Sequence, residues 1–190
     1  MPRVRYAEPA YVVDQTADPG TQVSQALQGI LAHRPDAASA LGAFAMALAA
    51  NSTLGPRLTE LIRLRIAFHN QCRSCMAVRY KYAVDDGLTE DLVCSLAQPA
   101  EAPDLNDAER AALRFADLFA TNHLAIDDTV YADLREHFDE GSIVELGLQC
   151  ANFVGVGRLA ATWAVTDALP ERFRAAGEVT PWGTDAVVVG

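Results

Sequence analysis

The sequence predicts an all-α protein, and three observations carry that expectation. Apolar residues return at three- and four-residue spacing through most of the chain, as on one face of a helix. Helix punctuation recurs: Pro35 and Pro56 stand where a first turn tolerates a missing N–H, and Asn106 with Glu109 has capping-box spacing. Alternating strand and helix units are absent from the pattern, so a nucleotide-binding α/β fold loses support.

The elements follow in order. Residues 1–20 hold Pro2, Pro9, Pro19 and Gly20 and read as an N-terminal arm that packs on the body or on a neighbour. A helical domain is expected over 21–170 and a C-terminal tail over 171–190. The first helix runs from Thr21, with Val23, Leu27, Ile30 and Leu31 on one face. A second starts at Pro35, passes through Leu41, Phe44, Ala45 and Leu48, and stops near 51–55. A third starts at Pro56, turns Leu58, Leu61, Ile62 and Ile66 inward, and breaks at Asn70-Gln71. A fourth is expected from Cys72 to the left-handed cap Asp86-Gly87. Thr89 starts a short helix through Leu92, Val93 and Leu96, and residues 98–104 form an acidic linker. Asn106 caps the next helix, and Asp127 or Asp128 the one after it. Gly141-Ser142 precedes a long apolar helix ending near 167–170. Only the tail, at Ala186–Val189, has any strand character.

Composition narrows the function classes. With 190 residues and 51% hydrophobic content, the chain suits one domain with its own core. Fifteen basic against twenty-five acidic residues give a net charge of −10. That argues against unspecific binding to nucleic acid or to an anionic membrane. The N-terminus lacks the apolar run of a secretory signal. Residues 143–165 are long and apolar enough to suggest a membrane span but include Glu145, Gln149, Asn152 and Arg158. They read as a buried or interface helix. Four cysteines are too few for a disulfide framework, and a cytoplasmic location is expected. Gly155-Val156-Gly157 lacks the preceding strand of a dinucleotide fingerprint, and position 160 is Ala. Gly147, Ala151 and Gly155 fit a close helix–helix approach better.

The segment that carries chemistry is Thr59 to Arg79. Cys72-Arg73-Ser74-Cys75 at a helix start places two sulfurs within disulfide reach, where the helix terminus favours a thiolate, the reactive form. On a continuous helix Arg79 shares a face with both cysteines and depresses a thiol pKa further. Glu60 stands in an apolar helix and needs a partner: Arg63, Arg79 or a water near the cysteines, or Arg63 at the surface. Val144-Glu145-Leu146 echoes Thr59-Glu60-Leu61, so Glu145 is a structural mirror of Glu60 if the halves are a faint duplication. Cys94 and Cys150 sit in apolar runs and read as buried packing residues.

Glu60, then twelve residues to Cys72, then Cys75, resembles the motif of the alkylhydroperoxidase D-like branch of the carboxymuconolactone decarboxylase family. The stretches 105–120 and 137–160 resemble its downstream helices, and the likeness covers roughly residues 35–168. It implies an AhpD-like helical bundle assembled as a homo-oligomer, a dimer, trimer or hexamer. It also implies thiol-dependent reduction of a hydroperoxide, with Cys75 as nucleophile, Cys72 as resolving cysteine and Glu60 beginning a proton relay. Electrons would come from a lipoyl-bearing or thioredoxin-like donor, and neither a cofactor nor a metal is expected. The family's histidine four residues after the second cysteine is here Arg79, which stabilises a thiolate but cannot serve as its base. His69, three residues before Cys72, is a substitute relay candidate. Three rival readings stay open. His69, Cys72 and Cys75 could supply three zinc ligands, one fewer than a structural site usually takes. The lactone decarboxylase branch works without a cysteine pair. A non-enzymatic or redox-sensing oligomer follows if Arg79 forbids turnover.

Overall fold

The computed structural model describes residues 2–7, 12–183 and 186–189. Its helices are α1 (Pro19–Leu31), α2 (Pro35–Ala50), α3 (Pro56–His69), α4 (Arg73–Ala77), α5 (Lys81–Asp85), α6 (Glu90–Ser95), α7 (Asp107–Thr121), α8 (Asp128–Arg135), α9 (Glu140–Trp163) and α10 (Glu171–Arg174). Two short 3₁₀ turns, Pro99–Glu101 and His123–Ala125, and two short strands, β1 (Val78–Tyr80) and β2 (Val187–Val189), complete the elements of the described residues. The fold is the expected helical one.

α3 is the axis of the molecule and packs on α7 and on α9. Leu61, Ile62, Leu64 and Ile66 are fully buried there. Each removes a large aliphatic side chain from water, about 1.5–3 kcal/mol apiece before chain entropy is counted. Local chemistry sets the helix ends. Asn106 accepts from the Glu109 N–H, and the Glu109 carboxylate accepts from the Asn106 N–H, a complete capping box. Asp127 is the cap of α8. Asp139 caps α9, which therefore starts at Glu140 and takes in Gly141 and Ser142, expected to precede it; the Asp139 carboxylate accepts from the Ser142 N–H at 2.7 Å. α9 ends at Trp163, where Ala164 turns left-handed at φ 55°. Among the described residues, no helix is long and apolar enough to cross a membrane.

The expected single helix over 72–87 is three elements. α4 is one turn, β1 follows at Val78, and α5 resumes at Lys81. The break has a long-range cause: β1 pairs in parallel with β2, Val78 opposite Val187 and Tyr80 opposite Val189. Local periodicity cannot register a partner more than a hundred residues away. Arg79 therefore does not share a helical face with the cysteines. The described part of the N-terminal arm lies on the body, with Arg3 N–H bonded to the Trp163 carbonyl and Ala7 N–H to that of Gly29.

Two further expectations are corrected. Cys150 is buried, but Cys94 is exposed, on the outer side of the short α6 whose Leu92 and Val93 point inward. The close approach expected at Gly147 and Gly155 falls elsewhere: a Cβ at either would meet open space. At Gly157 a Cβ would lie 2.5 Å from Asn70 Nδ2, so α9 passes α3 there.

Candidate functional site

The turn between α3 and α4 delivers the cysteines. Asn70 ends α3 and Gln71 adopts φ 48°, left-handed for a residue with a Cβ. Gln71 N–H donates to the Phe68 carbonyl and Cys72 N–H to the Ala67 carbonyl, the paired bonds of a Schellman ending. The Gln71 side chain compensates for the strain. Its Nε2 donates to the carbonyls of Phe68 and Val179, and its Oε1 accepts from Val179 N–H. One residue thus turns the chain and fastens the C-terminal tail. Asn70 Nδ2 donates to the Phe153 carbonyl, and Arg158 Nε donates to Asn70 Oδ1, which locks the same turn to α9.

Cys72 and Cys75 are joined in a disulfide, with Cα atoms 5.2 Å apart. They are not equivalent. Cys72 is fully buried, its sulfur 3.6 Å from Ser74 Oγ. Cys75 is half-buried and lines a cavity of about 630 Å³. Val23 and Leu27 of α1, Val78 and Tyr80 of β1, and Phe153 and Val156 of α9 form its apolar walls. Cys75 also packs against the small apolar cluster that contains Val23, Met76 and Phe173.

Glu60 is buried, and its partner is Arg63, as one sequence option held; that pair is interior rather than at the surface. Arg63 Nε and Nη2 take both carboxylate oxygens, at 2.6 and 2.7 Å. The same guanidinium donates to the carbonyls of Cys75 at 2.7 Å and Val78 at 2.8 Å. Its carbon stands 5.0 Å from the centre of the Tyr80 ring. Burial works against the Arg63 charge, but Glu60 outweighs it and raises the pKa, so the guanidinium stays charged. Arg63 also lines the cavity beside Cys75. It ties acid, cysteine backbone and cavity together.

Arg79 is 1% exposed and points elsewhere. Its donors meet both oxygens of Glu90 and the carbonyls of Met76, Val78 and Pro181. Burial pulls its pKa down, and Glu90 opposes that by hydrogen bond and charge. It clamps the tail to the cysteine segment. Arg73 does the same through the carbonyls of Phe173, Ala175 and Gly177. His69 turns to Asp117, with Nε2 2.7 Å from Oδ1, and Arg65 grips that carboxylate as well. The three ligands weighed for zinc are therefore not assembled: the sulfurs bond to each other and the imidazole to Asp117. Glu145 does not mirror Glu60. It accepts from Ser52 Oγ, Thr53 Oγ1 and Thr53 N–H, and so holds the loop between α2 and α3.

Sequence reasoning had Arg63 as a possible partner of Glu60 but missed its bonds to the cysteine backbone. It missed Ser74, Tyr80 and the α1 wall altogether. The one available signal was spacing: Arg63 is three residues from Glu60, so both must share a helical face.

The fold and site define a class: a helical protein with a Cys72–Cys75 disulfide set at a turn against a cavity. Residues 35–118 match the model of the carboxymuconolactone decarboxylase family. Two solved structures share the fold. ATU0492 of Agrobacterium tumefaciens is a protein of unknown function suggested to be the antioxidant defence protein AhpD; it is 25% identical at a TM-score of 0.62, covering 70% of this chain and 91% of its own. An uncharacterized peroxidase-related protein of Ralstonia eutropha JMP134 with an alkylhydroperoxidase AhpD core is 24% identical at 0.64, covering 74% and 73%. Over residues 35–118 the chain is similar to the carboxymuconolactone decarboxylase family, and its fold is that of the two AhpD-like structures. Its curated relatives include the uncharacterized protein Rv2313c of Mycobacterium tuberculosis, 34% identical over 117 residues, 60% of this chain. The uncharacterized protein YnjA of Escherichia coli is 27% identical over 95 residues, half of this chain and 52% of its own. The match spans only 40% of the length of Rv2313c.

Proposed function

We propose that this chain is a thiol-dependent peroxidase acting on organic hydroperoxides through Cys75 and Cys72, as an assembly of identical subunits. The observation that carries the reading is the asymmetry of the pair: Cys75 lines the cavity and Cys72 is buried behind it. In the reduced form the Cys75 thiolate attacks the outer peroxide oxygen. The O–O bond breaks, the alkoxide takes a proton and leaves as alcohol, and Cys75 becomes a sulfenic acid. The Cys72 thiol then attacks that sulfur, water leaves, and the disulfide forms. A lipoyl- or thioredoxin-like dithiol restores both thiols and is itself oxidised to a disulfide.

Glu60 begins the proton path in this scheme, and Arg63 supplies the fixed positive charge that the sequence assigned to Arg79. Arg79 acts as a positioning residue through β1 and Pro181. His69 stays outside the path because Asp117 holds its ring. One observation favours a second reading, in which the pair senses oxidants without turning over. Both Glu60 oxygens are committed to Arg63, and the residue in the histidine's place cannot move a proton.

Thiols are counted on the fully reduced chain before and after tert-butyl hydroperoxide, beside Cys75→Ser. Rapid loss of two thiols per chain, abolished in the variant, is expected. Four thiols that survive excess peroxide for hours would sink the peroxidase reading. Two thiols lost once, with no steady consumption of peroxide under any dithiol donor, would favour the sensor.

A further inference from the structure

Closing the disulfide asks two things of the fully buried Cys72. A thiol attacks as its thiolate, and apolar burial disfavours that form. The oxygen that leaves Cys75 also needs a proton to depart as water. The charged groups near the pair are already committed. Both Glu60 oxygens are taken by Arg63. His69 is bound to Asp117, and Arg79 is held by Glu90 and Pro181.

Ser74 is placed differently. It is 4% exposed and stands between the two cysteines in the one-turn α4. Its Oγ lies 3.6 Å from Cys72 Sγ, and among the described residues no other side chain offers either sulfur a hydrogen bond. A serine in a helix ordinarily returns its hydroxyl to a backbone carbonyl three or four residues back. This one turns to sulfur. Neither sulfur of a disulfide carries hydrogen, so the serine O–H is the donor. Ser74 also lines the cavity that Cys75 lines. One hydroxyl therefore touches the resolving sulfur and borders the space into which the oxygen leaves.

We propose that Ser74 is a catalytic residue of disulfide closure, relaying the Cys72 proton to the oxygen that departs from Cys75; the proposal rests on the peroxidase reading. In this step the Cys72 S–H proton passes to Ser74 Oγ, and the Ser74 O–H proton passes to the oxygen of the Cys75 sulfenic acid. The hydrogen now on Ser74 stays bonded to the Cys72 sulfur, which attacks as thiolate. The S–S bond forms as the S–O bond breaks, Cys72 is oxidised as the sulfenic sulfur is reduced, water leaves, and Ser74 ends as it began.

The test resolves the two steps. The fully reduced chain and Ser74→Ala are mixed with tert-butyl hydroperoxide, and quenched-flow mass analysis counts Cys75 sulfenic acid and disulfide separately. Ser74→Ala should form the sulfenic acid within about twofold of the wild-type rate and close the disulfide at least about tenfold more slowly, a modest loss for a proton relay. A second readout needs no peroxide. In Cys75→Ala, the pH midpoint for alkylation of Cys72 by iodoacetamide should rise by about one unit when Ser74→Ala is added, as for a lost hydrogen bond to a charged group. The tryptic peptide 66–73 contains Cys72 as its one cysteine, so its mass reads that thiol alone. Closure at the wild-type rate in Ser74→Ala, an equal slowing of both steps, or an unmoved Cys72 midpoint would each overturn the proposal. A wild type whose thiols ignore peroxide sinks the peroxidase reading instead, and the Cys72 midpoint still decides whether Ser74 acts on that sulfur.

Discussion

α3 carries Arg57, Glu60, Arg63, Arg65 and His69 within fourteen residues, yet eight of the fourteen are buried. α2 carries one charged residue, Asp36, and buries none. The two helices are neighbours in sequence and opposite in what they do with polarity. In α3 Glu60 and Arg63 lie inside as a pair, and Arg65, His69 and Arg57 are half-buried against Asp117 and Glu109. In α2 the apolar residues lie outside because no element among the described residues covers them. Hydropathy alone says how much a segment gains from burial. It does not say whether the partner belongs to the same molecule.

The largest effect expected from this contrast is at Arg63. Arg63→Met leaves the Glu60 carboxylate buried without its two donors, and removing one member of a buried pair costs about 3–5 kcal/mol. Urea unfolding should show that loss, and Glu60→Gln in the same chain should recover much of it. Phe44→Glu on α2, measured at concentrations where the chain is monomeric, should move stability by less than about 0.5 kcal/mol. Equal losses at the two sites would break the comparison.

Two glycines on α9, two residues apart, sharpen it at a smaller scale. Gly157→Ala drives a methyl into Asn70, which holds the turn before Cys72, and should cost about 1–3 kcal/mol. Gly155→Ala meets open space within the chain and should stabilise a monomer by up to about 1 kcal/mol through helix propensity. Thermal unfolding of both variants is the check. A destabilised Gly155→Ala monomer would mean that this part of α9 is covered within its own chain.

This pattern also explains what was legible in the sequence. Helices with a local cause were legible: the capping box at Asn106, the Asp127 cap, and the start of α3 at Pro56. The motif placed Cys72, Cys75 and Glu60 together, and spacing alone brought Arg63 to Glu60. Features with a distant cause were not legible. The break at Val78 depends on a strand at Val187, and Arg79 leaves the cysteines because Pro181 and Glu90 hold it. The α1 wall of the cavity comes from residues some forty to fifty positions upstream of the cysteines, with no motif of their own. Gly155 and Gly157 look alike as letters, and only the position of Asn70 separates them.

The smallest effect reads the α3 pair from outside. Tyr82 on α5 has its pKa pushed up to about 12, first by burial and then by the Glu60 and Tyr80 charges, with Arg63 opposing. A folded pKa above the unfolded value of about 10 means that the native state keeps a proton the unfolded chain has lost. The contribution to stability is therefore complete below pH 10 and is lost as pH rises toward 12. Glu60→Gln removes the carboxylate and leaves Arg63 uncompensated, so both changes favour the tyrosinate. At about pH 11 an ordinary tyrosine is mostly ionised, and Tyr82 should remain mostly protonated in wild type but ionise to a larger extent in Glu60→Gln. Ultraviolet absorbance, taken as a difference against Tyr82→Phe in each background, isolates that one phenol. An unchanged Tyr82 midpoint would mean that the Glu60 charge is already cancelled at Arg63 before it reaches the surface. The pair would then act as a neutral unit toward its surroundings.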